Sequence, residues 1–241
     1  MKKRVAVIIP MFNEEKNIPL LLEKLADVRN KLDYYLEVIA INDGSSDNTL
    51  ESLQKQSQEY GFLHVLSLTP NQGMASALKF GIKEALKRKF DYLVLMEGDL
   101  SNDPRYIPDF ISKIGEGYDL VLGSRFVKGG GMEGVGFLRA AVSTLGNFFG
   151  RLILGIKIAD FTCGFRAGRR EVFEKINLEE RTFGIQLETV VKAAAANFKI
   201  TEIPIVLHTR FHGTSSMIYN LNLIGSYLLL FKRSLFWLRK K

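Results

Sequence analysis

The sequence predicts an α/β fold, a single domain with a mainly parallel central sheet flanked by helices. Two observations carry that prediction. Short apolar runs rich in β-branched residues alternate with helical stretches of about a dozen residues, the pattern of right-handed βαβ units. The polar clusters of the first half each fall at the end of a predicted strand, where ligands sit in such sheets. At 241 residues, with 46% apolar and 24% charged side chains, the chain is long enough to bury a core and too apolar to be disordered.

Val5–Ile9 is a first buried strand, and Asn13 after it is expected to cap a helix with Glu14 and Glu15 in its first turn. Leu20, Leu21, Leu25 and Val28 then recur at helical spacing. Glu37–Ile41 forms a second strand, stopped by the polar run Asn42–Asp47, with a helix starting near Asp47. His64–Leu68 and Tyr92–Met96 are further strands, separated by a helix over Ser76–Lys89. Asp119–Gly123 is a strand leading into Ser124 and Arg125, and Lys128–Gly136 reads as a glycine-rich mobile loop. Helices follow at Phe137–Leu154, Arg169–Ile176 and Phe183–Asn197, and Ile200–Val206 returns as a strand. No repeat or linker justifies a second domain, so residues 1–216 are assigned to the globular unit.

Residues 217–241 mix the apolar stretch Tyr227–Phe231 with Lys232, Arg233, Arg239, Lys240 and Lys241. That segment suits an amphipathic helix on anionic lipid, or a helix packed on the domain or on a partner with a basic outer face. No stretch reaches the roughly 20 apolar residues needed to cross a bilayer. The formal charge of +7 favours anionic partners without choosing among them. The single cysteine, Cys163, excludes an internal disulfide and suits a cytoplasmic compartment. A cytoplasmic protein peripheral to the membrane is therefore expected.

The chemistry-bearing candidates lie at strand ends. Glu97 and Asp99 offer hard oxygen ligands for Mg²⁺ or Mn²⁺ bridging a diphosphate, although such an acidic triplet also serves as a simple strand end. Asp43 either accepts a hydrogen bond from a nucleobase or closes an Asx turn, and Phe12 either flanks a base or packs in the core. Arg125, Arg139, Arg166 and Arg210 fall on one predicted side of the sheet, where guanidinium forks match phosphate oxygens. His64, His208 and His212 lack metal-ligand spacing as a set.

In order along the chain, Val7-Ile8-Ile9-Pro10-Met11-Phe12-Asn13-Glu14, Asn42-Asp43-Gly44-Ser45-Ser46-Asp47, Asn71-Gln72-Gly73-Met74-Ala75-Ser76-Ala77 and Glu97-Gly98-Asp99-Leu100-Ser101-Asn102-Asp103-Pro104 resemble the successive motifs of the family-2 glycosyltransferases of GT-A fold. The resemblance spans residues 5 to 216. Gly123-Ser124-Arg125-Phe126, the Arg139…Ser143…Asn147 stretch and Asp160-Phe161-Thr162-Cys163-Gly164-Phe165-Arg166 resemble the branch that makes dolichyl-phosphate and polyprenyl-phosphate sugars. It implies a nucleotide-sugar donor of GDP-mannose or UDP-glucose type, a polyprenyl phosphate acceptor, and an anionic membrane surface or membrane protein as partner. Nucleic acid explains the charge and none of the motifs. By the resemblance Pro10, Phe12, Glu14 and Asp43 hold the nucleoside, with Gly44, Ser45, Gly73 and Glu97 in the same donor site. Asp99 holds the metal, with Glu97 and Ser101 beside it. Arg125, Arg139 and Ser143 receive the acceptor phosphate, and Arg210 closes over the donor diphosphate.

The sequence departs from the family at two places. Glu97 stands where the family has Asp, a longer side chain that shifts the metal geometry or leaves the metal altogether. Ser216 stands where the family has Lys after the late Arg-x-x-Gly. A glycan-hydroxyl acceptor, with Asp160 or Glu188 as base, and a catalytically weak nucleotide-sugar-binding subunit are the alternative readings.

Overall fold

The computed structural model describes residues 2–212 and 231–238, apart from the side chains of Leu138 and Arg139. The predicted Ser215–Ser216 departure and most of residues 217–241 lie outside the described residues. Strands β1 (Arg4–Met11), β2 (Tyr35–Asp43), β3 (Leu63–Leu68), β4 (Tyr92–Leu95) and β5 (Leu120–Ser124) appear where the short apolar runs predict them. Helices α1 (Ile18–Lys31), α2 (Thr49–Glu59) and α3 (Met74–Lys87) connect the first four, and α4 (Ile107–Gly115) precedes β5. The chain continues through β6 (Gly131–Glu133), α5 (Phe137–Leu154), β7 (Arg166–Arg169), α6 (Arg170–Lys175), α7 (Ile185–Ala195), β8 (Ile200–Pro204) and β9 (Val206–His208).

Seven strands form one sheet in the order β3-β2-β1-β4-β7-β5-β8, and β6 pairs with β9 beside it. Pairing in the large sheet is parallel except at β7, which runs antiparallel to both β4 and β5. Alternate side chains of β1 face opposite layers, as strand geometry requires. Val5, Val7 and Ile9 pack with Leu21, Leu22 and Leu25 of α1 and with Phe110 and Ile114 of α4. Ala6 and Ile8 pack on the other side with Leu78 and Ile82 of α3 and Val190 and Val191 of α7. A sheet covered on both faces has only its strand ends open to a ligand.

The structure departs from the sequence reading at four places. Asn13 is not a helix cap: it takes a left-handed backbone (φ 57°), and its side chain reaches Ser46 on the next strand-end turn. Strand β7, between the Asp160–Arg166 motif and the helix expected from Arg169, is not assigned in the sequence, and its Arg-Ala-Gly-Arg run carries no strand signal. Its extended form comes from pairing on both edges, a tertiary effect that overrides local propensity. Helix α4, bracketed by prolines and glycine, goes unread in the sequence. The glycine-rich Lys128–Gly136 stretch holds β6, which pairs with β9.

Helix α5 touches the body along one narrow stripe. Asn147, Gly150 and Leu154 are buried, whereas Phe137, Val142, Leu145, Phe148, Phe149, Leu152 and Ile153 are exposed. The helical residues 231–238 behave differently. Phe231, Leu235, Trp237 and Leu238 pack on the α3–α7 layer, and Arg233 pairs with Glu180 at 2.6 Å. The described end of the C-terminal segment is thus docked on the domain.

Candidate active site

The turns after β1 and β2 are tied to each other. The Asn13 amide donates to Ser45 Oγ at 3.0 Å, and Asn13 Oδ1 accepts from the Ser46 amide at 2.8 Å. The Glu14 amide donates to Thr49 Oγ1 at 2.8 Å. Asp43, nearly inaccessible, accepts from the Gln72 amide through Oδ1 at 2.8 Å, and its carbonyl accepts from Asn71 Nδ2 at 2.7 Å. The Asp43 side chain therefore binds the turn ahead of α3 and does not close a local Asx turn. Gly44 sits at φ 64°, and a Cβ there would fall 2.6 Å from the Asn71 nitrogen. Only glycine allows the two turns this approach. Gly73, at φ 86°, opens α3 from the same place. Pro10, Phe12, Glu14, Asp43, Gly44, Ser45 and Gly73 are thus assembled on one laced rim, and Phe12 stands exposed on it rather than in the core.

The loop after β4 carries the acidic pair. Asp99 is buried, and its Oδ1 accepts from the Ser101 amide at 3.0 Å and from Ser101 Oγ at 2.6 Å. The same hydroxyl lies 3.5 Å from Glu97 Oε2, so Ser101 stands between the two carboxylates. The chain after β9 folds over this loop, with the His208 amide on the Ser101 carbonyl and the Phe211 amide on the Asp99 carbonyl. That crossing delivers Arg210, whose Nε lies 3.0 Å from Asp99 Oδ2 and whose Nη1 lies 3.5 Å from Glu14 Oε1. Burial raises the Glu14 pKa above its ordinary value, the Asn17 hydrogen bond opposes this, and the neighbouring Asp99 charge adds to it. Among the described residues no three acidic, histidine or cysteine side chains gather as a metal cage. The donor set fits a hard divalent ion held by one or two carboxylates and completed by phosphate oxygens and water, which is how Mg²⁺ sites are commonly built. A guanidinium already seated against Asp99 shows that a cation is accommodated there.

A third group surrounds Arg125 at the end of β5. Its Nε and Nη2 engage Asp160 Oδ2 and Oδ1 at 2.7 and 2.8 Å, and Nη2 also donates to Thr162 Oγ1 at 2.7 Å. Asp160 is wholly buried and accepts further bonds from the Arg125, Thr162 and Cys163 amides. Asn147 fastens α5 to the same loop, accepting from the Phe161 amide at 2.7 Å and donating to Thr162 Oγ1 at 3.1 Å and to the Ser143 carbonyl at 2.9 Å. Ser143 is half-buried one turn before Asn147 on α5; the Arg139 side chain lies outside the described residues.

Arg166, expected among the phosphate-facing arginines, is a correction. It is fully buried and donates to the carbonyls of Cys163 and Gln186, so it faces the protein interior. The Cys163 thiol is pushed up to about 12, first by burial and then by the Asp160 charge, and is inert near neutral pH. Glu188 is also buried, and its oxygens accept from the Glu179 and Glu180 amides and from Lys192 at 2.8 Å. Neither Asp160 nor Glu188 presents an open carboxylate.

Residues 6–177 match Glycosyl transferase family 2. The chain belongs to that family. It is a glycosyltransferase. Two curated relatives are similar along most of the enzyme. An undecaprenyl-phosphate mannosyltransferase of Micrococcus luteus is 33% identical over 217 residues, 89% of this transferase and 87% of the relative. A dolichol-phosphate mannosyltransferase of Pyrococcus furiosus is 35% identical over 217 residues, covering 89% of this chain and only 59% of the archaeal one. Among solved structures, glucosyl-3-phosphoglycerate synthase from Mycobacterium tuberculosis, in complex with Mn²⁺, UDP and phosphoglyceric acid, superposes with a TM-score of 0.68 at 18% identity, over 97% of the transferase and 77% of that chain. At that identity the likeness establishes the fold.

Proposed function

We propose that this glycosyltransferase moves a hexose from a nucleotide-diphosphate sugar to a polyprenyl phosphate by an inverting displacement at a membrane surface. The observation that carries the phosphate acceptor is the state of the two candidate bases. Asp160 is saturated by Arg125 and three amides, and Glu188 by two amides and Lys192. A sugar hydroxyl would need one of them to take its proton. A phosphate monoester, with a second pKa near about 6, is already largely dianionic at neutral pH and needs none. The names of both curated relatives point the same way.

In this reading the rim around Asp43 and Phe12 binds the nucleoside, and Asp99, with Ser101 and Glu97 beside it, faces the diphosphate. A divalent ion there, Mg²⁺ or Mn²⁺, would offset the charge left on the departing nucleotide. Arg210 leaves Asp99 to pair with the diphosphate. Arg125, aligned by Asp160, orients the acceptor with Ser143 and Arg139. An acceptor oxygen lone pair forms the new bond to the anomeric carbon as the bond to the diphosphate oxygen breaks with its electrons. No proton moves. Catalysis rests on holding two anions in line and offsetting their charge.

The membrane surface is supported by the exposed apolar side chains of α5, the helix that also carries Ser143 and Arg139. An exposed apolar patch on a basic chain suits contact with anionic lipid. A panel of GDP- and UDP-sugars is offered to polyprenyl phosphate with Mn²⁺, with Mg²⁺ and with EDTA. Metal-dependent formation of one sugar-phosphate lipid is expected; transfer only to glycan hydroxyls would overturn the acceptor assignment. Sedimentation with anionic vesicles tests the surface: Leu145→Ser/Phe148→Ser/Leu152→Ser releases the protein, and unchanged sedimentation removes α5 as the contact.

A further inference from the structure

Arg166 is a buried charge whose two visible partners are backbone carbonyls. Its Nη1 donates to the Gln186 carbonyl at 2.7 Å and its Nη2 to the Cys163 carbonyl, while Nε has no partner among the described residues. Burial lowers its pKa to about 10, which leaves it charged near neutrality. Asp160 and Glu97 lie close enough for their charges to act on Arg166, yet its donors go to two backbone carbonyls and so join two segments. One is the loop that begins at Asp160 and fixes Arg125. The other is the start of α7.

The joined segments converge at Gly164. A Cβ at Gly164 would lie 2.9 Å from Glu97 Oε1 and 3.3 Å from Gln186 Nε2, so both side chains close over this glycine. Glu97 belongs to the acidic loop of Asp99, and Gly164 to the loop that fixes Arg125. The Glu97–Gln186 pair thus stands between the donor-phosphate side and the acceptor side, where an in-line transfer must place the sugar ring. Gln186 is 6% exposed, and its Oε1 is enclosed with no hydrogen-bond partner among the described residues. A buried acceptor left unanswered is costly and marks a place for a donor. A phosphate has no proton to offer and is repelled by Glu97, and the nucleobase is accounted for at the Asp43 rim. A sugar ring carries several hydroxyl donors.

We propose that Gln186 and Glu97, meeting over Gly164, bind hydroxyls of the transferred sugar, and that Arg166 is the positioning residue that holds Gln186 to this task. The proposal rests on the donor reading given above. It adds a neutral amide, unable to act as a base, at the centre of the transfer path.

Calorimetric titration with Mn²⁺ tests it, comparing GDP with GDP-mannose and UDP with UDP-glucose on the full chain and using whichever pair the wild type binds. Gln186→Ala should weaken nucleotide-sugar binding at least fivefold and leave nucleoside diphosphate binding within twofold. Gly164→Ala, which pushes the flexible end of Glu97 aside, should also weaken nucleotide-sugar binding. Arg166→Lys, which keeps the charge and loses the fork, should give a smaller loss of the same kind. Arg166→Met is the variant most exposed to misfolding, and the Gln186 result stands without it. Wild-type affinity for the sugar donor in Gln186→Ala, or equal losses for nucleotide and nucleotide sugar, would overturn the proposal. A wild type that binds neither nucleotide sugar nor nucleotide would sink the donor reading and this proposal together.

Discussion

Removing the charge from Asp160 tests whether it is an orienting residue or a base. The Arg125 side chain is 10% exposed and Asp160 is fully enclosed, so solvent screens their bidentate contact little. In Asp160→Asn the shape is kept, but an amide group now opposes the Arg125 donors and the guanidinium stays buried without a counter-charge. Breaking one side of a buried pair costs about 3–5 kcal/mol. For a chain of this size each kcal/mol lowers Tm by roughly 2–4 °C, so a fall of roughly 6–20 °C is expected. Arg125→Leu leaves Asp160 with its three amide donors and should cost about 3 kcal/mol. The double variant removes both charges, so the two losses should overlap by at least about 2 kcal/mol in a double-mutant cycle read by urea unfolding. Coupling below about 0.5 kcal/mol would refute the reasoning. Asp160→Asn should also raise the acceptor KM, because Arg125 loses its alignment. Collapse of turnover with stability and acceptor KM unchanged would make Asp160 a base after all.

Gly44→Ala combines a left-handed backbone with a Cβ against the Asn71 nitrogen, so it should cost at least about 2 kcal/mol and abolish nucleotide binding. Wild-type nucleotide affinity in that variant would show that the Asp43 rim is not the nucleoside site. Burial raises the Glu14 pKa above 4.5, so between that value and the raised one the folded state holds more protons than the unfolded one. Its contribution to stability is complete below the unfolded value and is lost as pH rises through the folded one. Glu14→Gln should therefore gain stability relative to wild type across that window, and a pH-independent offset between their urea midpoints would contradict it. Arg210→Ala takes a cation from 3.0 Å off Asp99 and should tighten Mn²⁺ binding about fivefold without nucleotide, equivalent to about 1 kcal/mol. Mn²⁺ titration followed by electron paramagnetic resonance measures this, and weaker binding would place the metal away from Asp99.

The sequence was most legible where one residue's neighbours in the chain are also its neighbours in space. β1 to β4 alternate apolar side chains for two covered faces, and their polar ends fall on the ligand side by the topology of parallel sheets. Helix α5 has the predicted bounds, because helical periodicity and the Gly155 stop are local. β7 was illegible because its strand form is imposed by β4 and β5, which lie far from it in sequence. Asn13 carries a capping side chain, yet its partner is Ser46 across the turn, and no local rule reaches that far. Arg166 reads as one more phosphate-facing arginine. Its burial depends on the antiparallel insertion of β7 that the sequence conceals, and the meeting of Glu97 and Gln186 over Gly164 depends on the same insertion.

The Arg125–Asp160 pair also limits what Arg125 can contribute to the reaction. A guanidinium locked to a carboxylate keeps its direction but loses most of its long-range field, because the two charges cancel beyond a few ångströms. Arg210 is in the same position while it lies on Asp99 and Glu14. A dianionic acceptor brought against a diphosphate therefore requires charge from elsewhere. A divalent ion at Asp99 would supply part of it, and by displacing Arg210 would release a second cation toward the diphosphate. Arg139, in the first turn of α5, is the remaining cation in the group assigned to the acceptor. Its helix is also the one with the exposed apolar face, so under the proposed membrane contact the approach of a lipid phosphate and the docking of that face would belong to one event. On this account Arg125 supplies geometry, and the attraction comes from charges that are complete only when donor and acceptor are both present.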